Sequence, residues 1–522
     1  MGSVGRTNAQ NQEEDWTIPL WMQDHGLSFN ELQLQVEAYY EVRDKGRGSG
    51  YTHWKRYERQ MRDHLLPNGK TANASKLALD EFSRYEATNP FTQDRSSNTG
   101  NWSLVGPTDY VRYGDGYNGG VGRVNCLAFH PSDPNTIFCG TPAGGLWKST
   151  DMGGSWTCLT DGIPSLGIAD ICINPNNPSI IYVLTGDSEA GDSHGVGVLK
   201  STNGGLTWHS TGLSWNLEDR LVGRKMIMDD DKPDTLLVGT SAGVFRTTNG
   251  GLNWTQTSSN SGTNDLEFKP GNTNIVYMAT DSKVYRSSNN GQSWTDTLLT
   301  LTNSDRIELA TSISAPEYLY AVAGPQTDSL HFKGVFFSSE SGNNLTLEGN
   351  SPNILGYEND GNDNRAQSWY DLAIACNPTN GADIYVGGIN IWRSFLNGQS
   401  GSFYNISQWQ EDLSSTSSYC HADIHDLVFS PNDNALFACT DGGLYRSTDG
   451  GVSFSKLSAG MDIMQFYNIA SHESSPDRIL GGTQDNGTNL KNTNSSTWKH
   501  VNGADGSSCA FSPSNSSTFY GT

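Results

Sequence analysis

The spacing of apolar positions changes character once along the chain. Up to about residue 95 it is helical: "SFNELQLQVEAYYEVRDKG" (28–46) carries Phe29, Leu32, Val36 and Tyr39 or Tyr40 on one face, behind a capping box from Ser28 to Glu31. "THWKRYERQMRDHLL", stopped by Pro67, and "NASKLALDEFSRYEA", stopped before Asn89-Pro90, predict two further helices. The Trp54, Tyr57, Met61 and Leu65 stripe of the second reads as a packing face. Residues 1–95 are thus expected to form a tail and a small helical segment docked on the main domain.

From about residue 101 the pattern becomes short apolar runs of strand length separated by Gly, Pro, Asn and Asp. One unit reads "RVNCLAFHPSDPNTIFCGTPAGGLWKSTDMGGSWTCLT": strand, Pro-Asn turn, strand, glycine turn, strand ending in "WKS", a polar turn, and a strand opened by Trp156. Four strands in some forty residues is the unit of a β-propeller blade. Further blades start at "IADICINP", "GRKMIMDD", "NDLEFKPG", "RIELATSI", "YDLAIACNP", "IHDLVFSP" and "YNIASHES", and "SSCAFSPSNSSTFYGT" supplies two strands of another. The expectation is an all-β, multi-bladed propeller over 101–522 with about eight to nine four-stranded blades. Its last blade is incomplete, either because the chain is truncated, the favoured reading, or because "NWSLVGP" (101–107) closes the ring as a last strand.

Composition agrees with many polar turns joining short strands: of 522 residues 58 are Gly, and charged residues are only 17%. The formal charge of -23 argues against nucleic acid and anionic membranes as main partners, since both would repel the chain. No apolar run of about eighteen residues exists to span a bilayer, so no membrane insertion is expected. The opening sixteen residues hold no apolar leader core, so a secretion leader is either absent or already removed. Eight cysteines show no CxxC or zinc-type spacing; Cys126 and Cys139 flank "HPSDPN" and read either as a hairpin disulfide or as buried thiols.

The polar turn recurs as "STDMGGSW" (149–156), "STNGGLTW", "TTNGGLNW", "SSNNGQSW" and "STDGGVSF" (447–454). Its Ser or Thr and its Asp or Asn can accept backbone N–H groups, and Gly supplies positive φ. Asp151 and Asp449 are replaced by Asn203, Asn249 and Asn289 elsewhere, and the pattern decays in "SSESGNNL" and "SFLNGQSG". A repeated catalytic acid would not tolerate that, so the turn is a structural fastener. These turns resemble the Asp boxes, or BNR repeats, of sialidases, sortilin-type receptors and xyloglucan-active endoglucanases. The wording of "GGVGRVNCLAFHPSDPN", "SWYDLAIACNP", "HADIHDLVFSPND" and "GGTQDNGT" is similar to sortilin-like BNR proteins that bacteria export by the type IX route. That resemblance covers roughly residues 101–522 and implies a secreted or surface-held protein.

Loop parity separates the candidates. The repeated turns share one face of the disc, and the second-to-third turns and blade links share the other, where propellers bind ligands. On that face "HADIHD", "CTDGG", "GTQDNGT" and "NGADGSS" gather His421, Asp423, His425, Asp441, Gln484, Asp485, Asn486 and Asp505. If "HADIH" is extended, His421, Asp423 and His425 lie on one side as a two-histidine, one-carboxylate metal set; the alternative is that they bond link backbones. "GDSEAGDSHGVG" spaces Asp187, Glu189 and Asp192 like a loose calcium loop. No cofactor is required, and Ca²⁺ or another divalent metal is the one these residues would accommodate. Trp369 and Tyr370 read either as an aromatic platform for sugars or as a plug between blades. The resemblance to the endoglucanases implies a catalytic carboxylate at Asp441 in "TDGGLYR", with Asp423, Asp485 or Asp505 as its partner. Arg123 and Arg224 alone do not assemble the arginine triad a sialidase needs. Three functions follow: a propeller that binds extracellular glycan or protein through this face, the leading reading; a glycoside hydrolase using Asp441 and Asp485; and a filament or scaffold subunit.

Overall fold

The computed structural model describes residues 27–43 and 51–62 and, from residue 103 onward, all but short stretches near 113–118, 162–166, 190–192, 217–220, 327–331 and 411–417, with a few isolated positions between 45 and 84. Helix α1 spans Phe29–Tyr40 behind the Ser28–Glu31 capping box, and α2 spans Tyr51–Arg62. The third expected helix lies, except for Arg84, outside the described residues. Leu32, Val36 and Tyr40 of α1 pack on Trp54 of α2, with Tyr39, Tyr51 and Tyr57 around them.

Eight four-stranded antiparallel meanders follow in chain order, the last of them extended to five strands by one parallel edge strand. Their first strands are Cys126–Phe129, Ile168–Ile173, Gly223–Met228, Thr263–Phe268, Ser304–Thr311, Ala373–Cys376, Ile424–Phe429 and Phe466–His472. The fold is the expected propeller with eight of the expected eight to nine blades, and the first seven sheets close the ring. Seven apolar clusters join sheets 1–2, 2–3, 3–4, 4–5, 5–6, 6–7 and 7–1 in an unbroken cycle. The closing cluster packs Leu127, Ile137 and Cys139 of sheet 1 on Ala435, Phe437 and Cys439 of sheet 7. Sheet 8 stands beside the ring, and its first strand packs on the hairpin formed by Cys509–Ser512 and Asn515–Gly521. Of "NWSLVGP", the described residues 103–107 form no strand. Tyr110–Arg112 instead adds to the outer edge of sheet 8, parallel to Trp498–His500.

Two polar devices repeat around the ring. In the inner strands of sheets 2, 4 and 7 a register shift turns Asp170, Asp265 and Asp426 toward the next sheet. There they accept the N–H groups of Met226 (2.7 Å), Leu309 (2.8 Å) and Leu127 (3.4 Å). The last of these crosses the closure from sheet 7 to sheet 1. On the opposite side, in sheets 2, 3, 4 and 6, the base just before the turn donates to the fourth residue of the next sheet's turn. Lys200 reaches the Gly250 carbonyl at 2.9 Å, Arg246 that of Asn290 at 2.7 Å, Arg286 that of Ser341 at 2.9 Å and Arg393 that of Gly450 at 2.7 Å.

The turns themselves are fasteners in detail. Ser149 Oγ accepts the Gly153 N–H at 2.8 Å, and Asp151 Oδ1 accepts the Ser155 N–H at 2.8 Å. Asn203, Asn249, Asn289 and Asp449 make the same backbone bond at 2.9–3.0 Å. Asn keeps the one oxygen this bond needs, which explains the exchange. The Cys126–Cys139 disulfide does not form, and both thiols are free and buried. Cys126 pairs with Gly140 and Cys139 with Leu127. That one-residue offset sends Cys126 into the cluster with sheet 2 and Cys139 into the cluster with sheet 7.

Candidate functional site

Where sheet 7 of the ring meets sheet 8, side chains far apart in sequence converge on the face opposite the repeated turns. His425, on the inner strand of sheet 7, has no exposed side-chain surface and lies between two carboxylates. Its Nδ1 faces Glu189 Oε2, and its Nε2 is 2.8 Å from Asp441 Oδ1. Asp441 comes from the second-to-third turn of sheet 7 and also accepts the Tyr370 hydroxyl at 2.7 Å. Arg123 Nη1 donates to the same hydroxyl at 3.2 Å, and its Nη2 pairs with Asp187. Arg306 Nη2 holds Glu189 Oε1 at 2.9 Å.

These contacts set the protonation states. Burial opposes charge on His425, but Glu189 and Asp441 outweigh it and raise the ring to about 9. Burial likewise opposes charge on Asp441; the imidazolium, Arg123 and the Tyr370 hydroxyl prevail and hold it well below the usual carboxylate range. Glu189, against the same burial, is drawn down to about 2 by His425 and Arg306. The neighbouring acids go the other way. Burial raises Asp485 well above its ordinary value despite Arg56. Burial, then Asp371 and Asp441, does the same to Asp423. One oxygen from each of Asp423, Asp441 and Asp485 lies within 4.8 Å of the others. The site therefore sets one carboxylate pushed toward its ionised form beside two that burial pushes toward their protonated forms.

The local backbone is built to this end. Asp423 and Asp485 adopt left-handed φ of 65° and 52°, a conformation costly for a residue with a side chain and typical of functional turns. After Asp441 only glycine fits, because a Cβ on Gly442 would sit 2.3 Å from the His421 ring. His421 packs there with Nδ1 3.2 Å from the Ala422 carbonyl.

The bend at Asp423 breaks the extended run on which the His421, Asp423 and His425 metal set depended. The two imidazoles are engaged separately, and the acids that converge are Asp423, Asp441 and Asp485. The calcium-loop expectation also changes: Asp187 and Glu189 are committed to Arg123 and to Arg306 with His425, and Asp192 lies outside the described residues. Tyr370 is 1% exposed, while Trp369 beside it is half-buried.

Asn486 joins sheet 8 to the ring by donating to the Asp441 carbonyl at 3.0 Å. Gln484 accepts the Tyr467 hydroxyl at 3.0 Å, and Asp505 Oδ1 accepts the Asp485 N–H at 3.1 Å. Arg224, half-buried in the axial cavity of about 250 Å³, faces Arg306 rather than joining Arg123 on a common acid. Sequence reasoning did not single out Arg306 or Arg56. Arg306 sits in a strand and Arg56 in a helix, where no local motif marks them.

No family model matches the chain. A 130-residue stretch is 26% identical to a xyloglucanase from a Paenibacillus species, covering 23% of this chain and 13% of that protein's length. Among solved structures, the GH74 xyloglucanase of Xanthomonas campestris is similar with a TM-score of 0.57 at 16% identity, over 76% of this chain and 63% of that one. An ancestral GH74 enzyme gives 0.53 at 17% identity, over 78% of this chain and 58% of the other. The GH74 enzyme of Niastella koreensis gives 0.51 at 16% identity, over 78% and 73%. This chain thus spans a small part of its curated relative and about three-fifths of two of these solved enzymes. At this identity the likeness establishes the β-propeller fold.

Proposed function

We propose that the protein is an extracellular glycan-acting propeller that hydrolyses a xyloglucan-type polysaccharide at the junction of sheets 7 and 8. The observation that carries this is the convergence of three acids with opposed environments: one oxygen from each lies within 4.8 Å of the others, Asp441 is drawn toward its ionised form, and burial pushes Asp485 and Asp423 the other way. Glycoside hydrolysis needs such a pair, one group to donate a proton to the leaving oxygen and one to act as base or nucleophile. In this reading Asp485, on the more exposed side, is the acid. Asp441 is the base, and His425, Tyr370 and Arg123 hold its charge. The 26% identity to a xyloglucanase supports the substrate class.

Release of reducing ends from xyloglucan by the wild type, cut about 10²–10⁴-fold in Asp441→Asn, is the expected result. No release from xyloglucan or other β-glucans by the wild type sinks the hydrolase reading. A second reading, binding of a glycan or protein without cleavage, is favoured by the 2% exposure of Asp441. It predicts saturable binding with no product.

A further inference from the structure

The acid sector is not open to solvent in this structure. Arg56 of α2 reaches across from the helical segment and places Nη2 2.7 Å from Asp485 Oδ1 and Nε 2.9 Å from Asp505 Oδ2. Its side chain is 13% exposed, and those of Asp485 and Asp505 are 17% and 18% exposed. The guanidinium thus occupies the position from which a ligand group would approach Asp485. Asp485 Oδ2 is buried with no hydrogen-bond partner among the described residues, so one acceptor of this acid remains unused beneath the arginine.

The attachment of α2 differs from the packing inside the ring. Among the described residues, the apolar cluster of the helical pair, built from Leu32, Val36, Tyr40 and Trp54, contains no residue of any sheet. Each of the seven sheet junctions has a buried apolar cluster, whereas the bonds described between α2 and sheet 8 are charged and lie at a partly exposed rim. A helical unit with its own core, whose described bonds to sheet 8 are charged and lie at a rim, can move as a body.

We propose that α2 is a built-in lid: Arg56 occupies the carboxylate sector in the closed form and withdraws to admit the ligand. The inference rests on the reading of Asp441, Asp485 and Asp423 as the ligand site. It also gives the tight cluster a reason. Carboxylate oxygens within 4.8 Å of one another leave no room for the water that an inverting pair about 6.5–9.5 Å apart would hold. Release of Asp485 from Arg56 frees that acid to move outward and to present its proton.

The test uses the full chain as wild type, Arg56→Ala, Arg56→Lys and Asp505→Asn, with two readouts. The first is labelling of Asp485 by a water-soluble carbodiimide with glycine ethyl ester, mapped by mass spectrometry, together with amide exchange of α2; neither needs a substrate. The expected result is labelling and α2 exchange about tenfold faster in Arg56→Ala, slower than that in Arg56→Lys, and raised in Asp505→Asn. Equal labelling in wild type and Arg56→Ala, or unchanged α2 exchange, overturns the lid. The second readout is xyloglucan turnover, expected to rise in Arg56→Ala. A fall in turnover with faster α2 exchange makes α2 part of the working site and also overturns the lid. If no variant turns over glycan while labelling and exchange rise as expected, the lid stands and the hydrolase reading fails.

Discussion

His425 carries the electrostatics of the site. Both ring nitrogens face carboxylates, and removing the ring leaves Glu189 and Asp441 buried without their shared cation. Breaking a buried ion pair from one side costs about 3–5 kcal/mol. His425→Ala is therefore expected to lose stability of that order in chemical denaturation, whereas Trp369→Ala, at a half-buried position, is expected to lose much less. How much of the site was legible in sequence follows from distance along the chain. Asp441 could be singled out because "TDGG" is a local turn signal, and Asp485 and Asn486 because "GTQDNGT" is another. Glu189 lies far along the chain from His425, Arg306 lies 117 residues from Glu189, and Arg56 lies 429 from Asp485. Only the ring and the docked helix bring them there, so no window of sequence could assign their partners. The proposed metal set failed for a local reason instead: the left-handed backbone at Asp423 cancels the period-two argument.

At the scale of the element, the repeated turn was fully legible because every bond that makes it falls within eight residues. Ser447 Oγ accepts the Gly451 N–H at 2.8 Å and Asp449 Oδ1 the Ser453 N–H at 2.9 Å. Asp449→Asn is expected to leave the melting temperature nearly unchanged, because Asn serves in three other turns. Ser447→Ala strands a buried N–H and is expected to cost about 1–3 kcal/mol, checked by thermal unfolding. The sheet-to-sheet latch was not legible. Its base is visible in "VYRS" or "IWRS", but the acceptor is a carbonyl on the following blade. Arg393→Gln is expected to destabilise the protein, since it removes two bonds to Asp383 and one to Gly450. Arg393→Lys is expected to recover part of the loss.

For the whole molecule, the repeat count was readable and the closure was not. Strand patterns reveal how many blades are written, whereas the junction that closes the ring depends on which apolar faces match, here Phe437 and Cys439 against Leu127 and Cys139. The ring also sets the pH response. His425 is raised to about 9, so its contribution is complete below its ordinary 6.5 and is lost as pH climbs through 9. Burial, ahead of the neighbouring acids Asp265 and Asp170, raises Glu267 to about 8. Burial likewise raises Glu308 to about 8 against the pull of Arg306. Both bind protons more tightly folded than unfolded, and they too cost stability as pH rises. Glu189, drawn down to about 2, acts oppositely and loses its contribution only as pH falls toward that value. The melting temperature is therefore expected to peak in mild acid, about pH 5, and to fall steadily to pH 9.

The central claim is that the acids joining sheets 7 and 8 cleave a glycan. The most direct measurement compares wild type, Asp441→Asn and Asp485→Asn for turnover of a xyloglucan oligosaccharide and for its binding by calorimetry. The account predicts turnover in the wild type, its loss in both variants, and affinity within a few-fold of wild type in each. Wild-type protein that neither binds nor cleaves the oligosaccharide, or full turnover by Asp441→Asn, would contradict it.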